Sequence, residues 1–219
     1  MRQKISHFSK GIKESAALSF GLSAKSLCEK SCRMLQLGLC YAEKPEKRYK
    51  AYYKKLIRNR RTDPVNLLNG AAHELTDLPL KWFRFSVSGS LPLLYSLKYK
   101  KAFYDFCKLL VERNIKIHCP VESKRKASLY RSIVADLPIV VRRTIQKKSE
   151  LTTFNDCAAY VVGDTPGKHN IGPAFELAKE LRQTKSVVVC PAIHSDSKCG
   201  KCTACANKGV DIVLYPLHS

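Results

Sequence analysis

No window of roughly eighteen or more uninterrupted apolar residues occurs in this chain, which excludes a membrane-spanning helix on length and composition. The stretch Met1 to Lys13 lacks the apolar core of a secretory signal, which predicts an intracellular, cytoplasmic protein. Acidic residues are scarce: 18 Asp and Glu against 39 Lys and Arg leave a formal net charge of +21. A surplus of that order predicts a polyanionic partner, DNA or RNA before an acidic protein or lipid surface. By spacing there is no Ser/His/Asp triad, no paired-carboxylate site and no nuclease-like group of acids, so hydrolysis has no visible machinery. The turn Gly163-Asp164-Thr165-Pro166-Gly167 lacks the lysine and serine of a phosphate-binding loop. The apolar content, 45% of 219 residues, is enough for a substantial core.

What the chain does have is cysteine. Seven of its ten cysteines fall into two groups at its two ends, and Cys107, Cys119 and Cys157 stand alone as core-packing candidates. The rear group is Cys190-Pro191 followed by Cys199, Cys202 and Cys205, the last three spaced C-x2-C-x2-C. Closely spaced thiolates with a remote Cys-Pro repeat the ligand pattern of ferredoxin-type 4Fe–4S clusters. Zinc is the rival, but it usually gathers four thiolates as two C-x2-C knuckles. Cysteines buried as small hydrophobes are a third reading, opposed by the polar turn of Gly200, Lys201, Thr203, Asn207, Lys208 and Gly209.

The front group is Cys28, Cys32 and Cys40. Three thiolates leave one iron of a 4Fe–4S cube open to a small molecule, and Cys28 and Cys32 have the first spacing of the radical S-adenosylmethionine signature C-x3-C-x2-C. The third cysteine comes eight residues on instead of three. A second cluster here and a helical face or zinc half-site carry equal weight.

From Lys44 to Arg61 the chain has nine basic residues against one glutamate. Tyr49, Tyr52, Tyr53, Leu56 and Ile57 recur at helical spacing, which predicts a helix that packs this face and presents Lys47, Arg48, Lys50, Lys54, Lys55, Arg58, Arg60 and Arg61 to a phosphate backbone. The tyrosines read as core before they read as base-stacking platforms. Asp63-Pro64 caps a second helix over Val65 to Leu75.

Beyond Pro79, strand and helix alternate. Strands are expected at Trp82–Val87, Ile115–Cys119, Pro138–Val141, Ala158–Val162 and Val187–Val189, with helices at Lys98–Arg113, Ser123–Ala135 and Ala174–Arg182. Val210 to Tyr215 reads as a last strand, and Ala16 to Leu22 as a first short one. This order predicts an α/β fold with a mostly parallel sheet, either open and doubly wound or a partial barrel. The functional face then lies past the carboxyl ends of the strands, at Ser88, Gly89, Ser90, Glu122, Arg142, Arg143, Asp164 and Cys190. Arg142 and Arg143 join the basic helix as candidate nucleic-acid contacts. The expected organisation is one α/β unit over 1–189, carrying the front cysteines and the basic helix, with a cysteine segment over 190–219 packed on it.

Leu18-Ser19-Phe20, Cys40-Tyr41-Ala42, Phe83-Arg84 leading to Ser88-Gly89, and the closing Cys190-Pro191-Ala192, Lys198-Cys199-Gly200-Lys201-Cys202 and Ala204-Cys205 together resemble the gene product 88 family of phages and mobile elements. The resemblance implies a partial (β/α) barrel of the radical S-adenosylmethionine type with one or two 4Fe–4S clusters, in a bacterial or archaeal host cell. Any S-adenosylmethionine would then sit beside Ser88, Gly89 and Ser90. Where the family has a segment of the His-Asp-Ser-Gly-Asp kind, this chain has Ser86 to Ser90, so the resemblance implies the fold more directly than a reaction. The expectation is an iron–sulfur protein that binds nucleic acid. The alternatives are a radical S-adenosylmethionine enzyme that modifies nucleic acid and a zinc-stapled basic protein.

Overall fold

Apolar runs too short to be helices, rich in valine and isoleucine, become the strands of one sheet, and the amphipathic stretches between them become helices. The computed structural model describes residues 8–10, 17–20, 49–75, 82–85, 96–145, 147–195, 197 and 202–217. The strands are β1 (Phe8–Lys10), β2 (Ala17–Phe20), β3 (Trp82–Arg84), β4 (Lys116–Val121), β5 (Val140–Ile145), β6 (Ala158–Val162), β7 (Val187–Val189) and β8 (Ile212–Pro216). The helices are α1 (Lys50–Arg61), α2 (Pro64–Leu75), α3 (Leu97–Glu112), α4 (Lys124–Ile133), α5 (Glu150–Thr153), α6 (Ile171–Leu181) and α7 (Pro191–His194). Two 3-10 turns, Lys168–Asn170 and Ala204–Ala206, complete the described elements.

The sheet runs β1-β2-β3-β4-β5-β6-β8-β7. The six strands β3 to β8 are all parallel and curl into a half-barrel, with β2 continuing the parallel set and β1 antiparallel at the edge. The expected mostly parallel α/β sheet is therefore present, and of its two forms the curled one is found. Phe8–Lys10, within the polar and basic stretch Met1 to Lys13, is a short strand at the sheet edge. β5 begins at Val140 and runs on to Ile145, so the adjacent arginines 142 and 143 lie inside the sheet, paired to β4 and β6, and not in the loop beyond it. β8 does not extend the sheet outward: it lies between β6 and β7 and pairs in parallel with both.

Register fixes the two faces. Phe83, Ile117, Cys119 and Val141 share one face and pack on Leu67, Leu68 and Leu75 of α2, Phe103 and Phe106 of α3, and Tyr130 of α4. Farther along that face, Ile145, Ala158, Tyr160, Val162, Ile212 and Leu214 pack on Leu177, Ala178 and Leu181 of α6. Aromatic rings lock the first group edge to face: Phe83–Phe85, Phe85–Phe103 and Phe103–Tyr130 have centroids 4.8, 5.0 and 5.1 Å apart. Pro120 sits within β4 at no cost to the ladder. His118 already accepts from the Phe85 amide on the β3 side, so the N–H that Pro120 lacks would point past the end of β3.

The expected cap is present: Asp63 Oδ1 accepts from the amides of Val65 (2.9 Å) and Asn66 (3.4 Å). Its other oxygen accepts from Tyr99 Oη (3.1 Å) and Lys98 Nζ (3.3 Å), which ties α2 to α3. Ser123 caps α4 through the Lys126 amide at 3.3 Å.

Candidate metal centre and nucleic-acid interface

The face turned away from the helices carries Trp82 and Arg84 of β3, His118 of β4, Val140, Arg142 and Thr144 of β5, Ala159 and Val161 of β6, and Val213 and Tyr215 of β8. A charged side chain at the middle of a parallel sheet has no water to turn to and must find its partners inside the protein. Arg142 finds them in the segment between β7 and β8. Its Nε donates to the Cys205 carbonyl at 2.9 Å, and its Nη2 to those of Asn207 (2.9 Å) and Ala204 (3.1 Å). Its Nη1 donates to the carbonyls of Asp211 (3.2 Å) and Ala158 (3.4 Å). All five N–H groups of the guanidinium are thus spent on backbone oxygens, and the side chain is 0% exposed. Arg142 is no nucleic-acid contact. It fastens the cysteine-bearing 3-10 turn to the inner face of β5.

Arg143, one residue on, points to the helical face. Its guanidinium bonds Glu150 Oε2 at 2.5 Å and lies 5.4 Å from the centre of the Phe154 ring. The pair that read as exposed cations is therefore two internal braces, because consecutive residues of a strand face opposite ways.

The same fastening positions the rear cysteines. Cys190 ends β7, where its amide donates to the Leu214 carbonyl at 2.8 Å, and it is half-buried, as are Cys202 and Cys205. Cys205 Sγ lies 2.8 Å from the Tyr215 hydroxyl. Burial and the neighbouring Cys205 sulfur, with Cys190 adding to them, hold the Tyr215 hydroxyl well above its ordinary range. It therefore stays protonated and has a hydrogen to give to sulfur. Cys199 lies outside the described residues, and among the described residues no three His, Cys, Asp or Glu side chains already converge on one point. Cys28, Cys32 and Cys40, the candidate S-adenosylmethionine residues Ser88, Gly89 and Ser90, and the cations Lys47 and Arg48 also lie outside the described residues. Cys107 and Cys119 are buried in the core, where desolvation pushes both thiols up.

Two polar groups on the inner face went unnoticed in the sequence. His118 is 2% exposed and neither ring nitrogen has a hydrogen-bond partner among the described residues; the Trp82 ring lies 6.2 Å away, and its Nε1 is likewise buried and without a partner among them. Burial, reinforced by the charges of Arg84 and Arg142, holds the His118 ring well below its ordinary 6.5, so it is neutral near pH 7. The signal for both was the alternation of β3 and β4, which turns Trp82, Arg84 and His118 to the face opposite Phe83 and Ile117.

The basic helix forms, and of its expected packed face Leu56 is buried and Ile57 half-buried, while the side chain of Tyr52 lies outside the description. Leu56 and Asn59, three residues apart, point inward, while Tyr49 is 55% and Tyr53 44% exposed. Tyr49 precedes the first helical turn and Tyr53 lies at the rim of the Leu56–Asn59 face, which is why neither is core. Lys50, Lys54 and Arg61 are exposed beside them and Arg58 is half-buried. Lys55 and Arg60 belong to the same helix, but their side chains lie outside the description. Tyr53, Lys54, Ile57, Arg58, Arg61 and Thr62 line a shallow groove. From Lys47 to Thr62 the sequence contains no acid, whereas Lys98, Lys101 and Lys108 of α3 pair with Asp63, Asp105 and Glu112.

No protein-family model, curated protein or solved structure matches this chain. No helix among the described residues is long and apolar enough to cross a membrane.

Replacing Arg142 with methionine leaves the carbonyls of Ala204, Cys205, Asn207 and Asp211 without their donor, and urea unfolding should show a loss of roughly 3 kcal/mol. Limited proteolysis should then cut first between β7 and β8; an unchanged midpoint and cleavage pattern would show that the turn is held by something else. For His118, the unfolded ring takes up a proton near its ordinary value and the folded ring does not. Its contribution is thus full above that pH and lost as the pH falls below it. Unfolding at about pH 7.5 and about pH 5 should show a drop for the wild type that is smaller in His118→Phe.

Proposed function

We propose that this chain is an iron–sulfur protein that binds nucleic acid through its basic surface, with a thiolate-held centre at the open side of a half-barrel of the radical S-adenosylmethionine type. The observation that carries the metal reading is the state of Arg142. A fully buried guanidinium surrounded by carbonyl dipoles, with no carboxylate paired to it among the described residues, is a costly arrangement in a protein interior. Four thiolates on iron or zinc leave a net negative centre, and Cys190, Cys202 and Cys205, with Cys199 between them in sequence, supply it beside that cation.

The residues present suit such a group. Arg142 fixes the backbone that carries Cys205, β7 leads into Cys190, and the Tyr215 hydroxyl, 2.8 Å from the Cys205 sulfur, would donate to a thiolate there, the kind of outer contact that orients a ligand and tunes its metal. An iron–sulfur centre would supply a structural clip or a one-electron redox site. The nucleic-acid part of the reading rests on the +21 charge and on the acid-free run from Lys47 to Thr62, whose Lys50, Lys54 and Arg61 reach solvent. The motifs that resemble the gene product 88 family bear on the fold and the cluster more than on this part of the reading.

Protein purified without oxygen should contain about four irons and four sulfides per chain, lost in Cys202→Ser; about eight would add a centre at Cys28, Cys32 and Cys40 and bring the enzyme reading forward. Zinc without sulfide would replace iron by a zinc staple, and metal-free folded protein would refute the centre. Lys50→Glu with Lys54→Glu and Arg61→Glu should weaken binding of duplex DNA and reduce the slope of log affinity against log salt by about two to three. An unchanged affinity and slope would remove α1 from the interface.

A further inference from the structure

We propose that α1 takes single-stranded nucleic acid, with unpaired bases stacking on Tyr53 and Tyr49 while Lys50, Lys54 and Arg61 hold the phosphates. This deepens the nucleic-acid reading above and rests on it. Tyrosine is a residue that proteins bury when they can, yet Tyr49 and Tyr53 stand 55% and 44% exposed within a run of sequence, Lys47 to Thr62, that contains no acid. Tyr49 stands just before the first turn and its carbonyl accepts from the Tyr53 amide at 3.0 Å, so the two backbones lie about one helical turn, roughly 6 Å, apart along the axis. That separation is wider than the stacking distance within a duplex and suits successive bases that have been unstacked and spread along a backbone.

The groove supplies the rest. Tyr53 and Ile57 give it an apolar floor, and Lys54, Arg58 and Arg61 give it cationic walls, an aromatic face with a positive track beside it. A duplex hides its base faces inside the stack and offers a protein only phosphates and groove edges, so it has no use for an exposed tyrosine ring. An unpaired strand offers both a charge and a π-face at every nucleotide, and its binding by stacking is tolerant of sequence.

The test uses the full chain and two labelled probes, an oligothymidylate of about twelve nucleotides and a duplex of the same length. The double variant Tyr49→Ala with Tyr53→Ala should weaken oligothymidylate binding by roughly ten-fold or more, leave duplex binding and the salt slope as they were, and regain the loss when both positions are phenylalanine. If the alanine variant binds both probes as the wild type does while the glutamate variants of Lys50, Lys54 and Arg61 bind neither, stacking is overturned and the electrostatic reading stands. If alanine and glutamate variants both bind normally, the interface itself is elsewhere and both readings fall. Loss in the phenylalanine variant as well would assign the effect to the hydroxyls and overturn stacking.

Discussion

A guanidinium at the centre of a parallel sheet is an expensive thing to solvate, and in this protein the solution determines how the last third of the chain is laid down. Arg142 draws five backbone carbonyls to itself, four of them from the segment between β7 and β8. That segment would otherwise be a long polar loop rich in glycine, lysine and serine with little apolar surface to bury. The arginine gives it a reason to lie against the sheet, and in doing so brings Cys205 onto the Tyr215 hydroxyl. The front half of the fold is held differently, by leucines and interlocked phenylalanines between the sheet and α2, α3 and α4.

Much of the architecture could be read from residue pattern. Three valines in a row at Val187–Val189 and the alternation of Ala158–Val162 give strands at the bounds expected, and the Asp63-Pro64 helix start is realised hydrogen bond by hydrogen bond. What could not be read were properties that depend on neighbours in space. Nothing local says that β8 enters the middle of the sheet. Two consecutive arginines look alike in a sequence, and only once β5 is known to be a central strand does it follow that one faces the helices and the other faces the cysteine turn. The tyrosines of α1 obey the helical period well enough to pass for core. A period gives an angle and not a direction, and the direction here is set by Leu56 and Asn59.

The candidate site was legible in composition and less so in arrangement. The C-x2-C-x2-C spacing names a ligand set by chemistry, yet the groups that would support it, Arg142 and Tyr215, lie 57 residues before and 16 residues after Cys199 in sequence and meet the segment only through the sheet register. The basic residues are concentrated in sequence: Lys98, Lys101 and Lys108 of α3 have carboxylates beside them, whereas the run from Lys47 to Thr62 contains no acid.

The place of β8 has a consequence for how the chain is made. β6 and β7 do not touch in the finished sheet; each is paired to a strand that is translated after both of them. While the chain is still emerging from the ribosome, the half-barrel therefore has a gap one strand wide, bordered by two open edges of unpaired backbone, and the cysteine segment is the tether of the strand that fills it. Closing the sheet and seating the cysteines are one event. Until β8 is in place, neither Tyr215 nor the carbonyls that Arg142 binds between β7 and β8 have their partners.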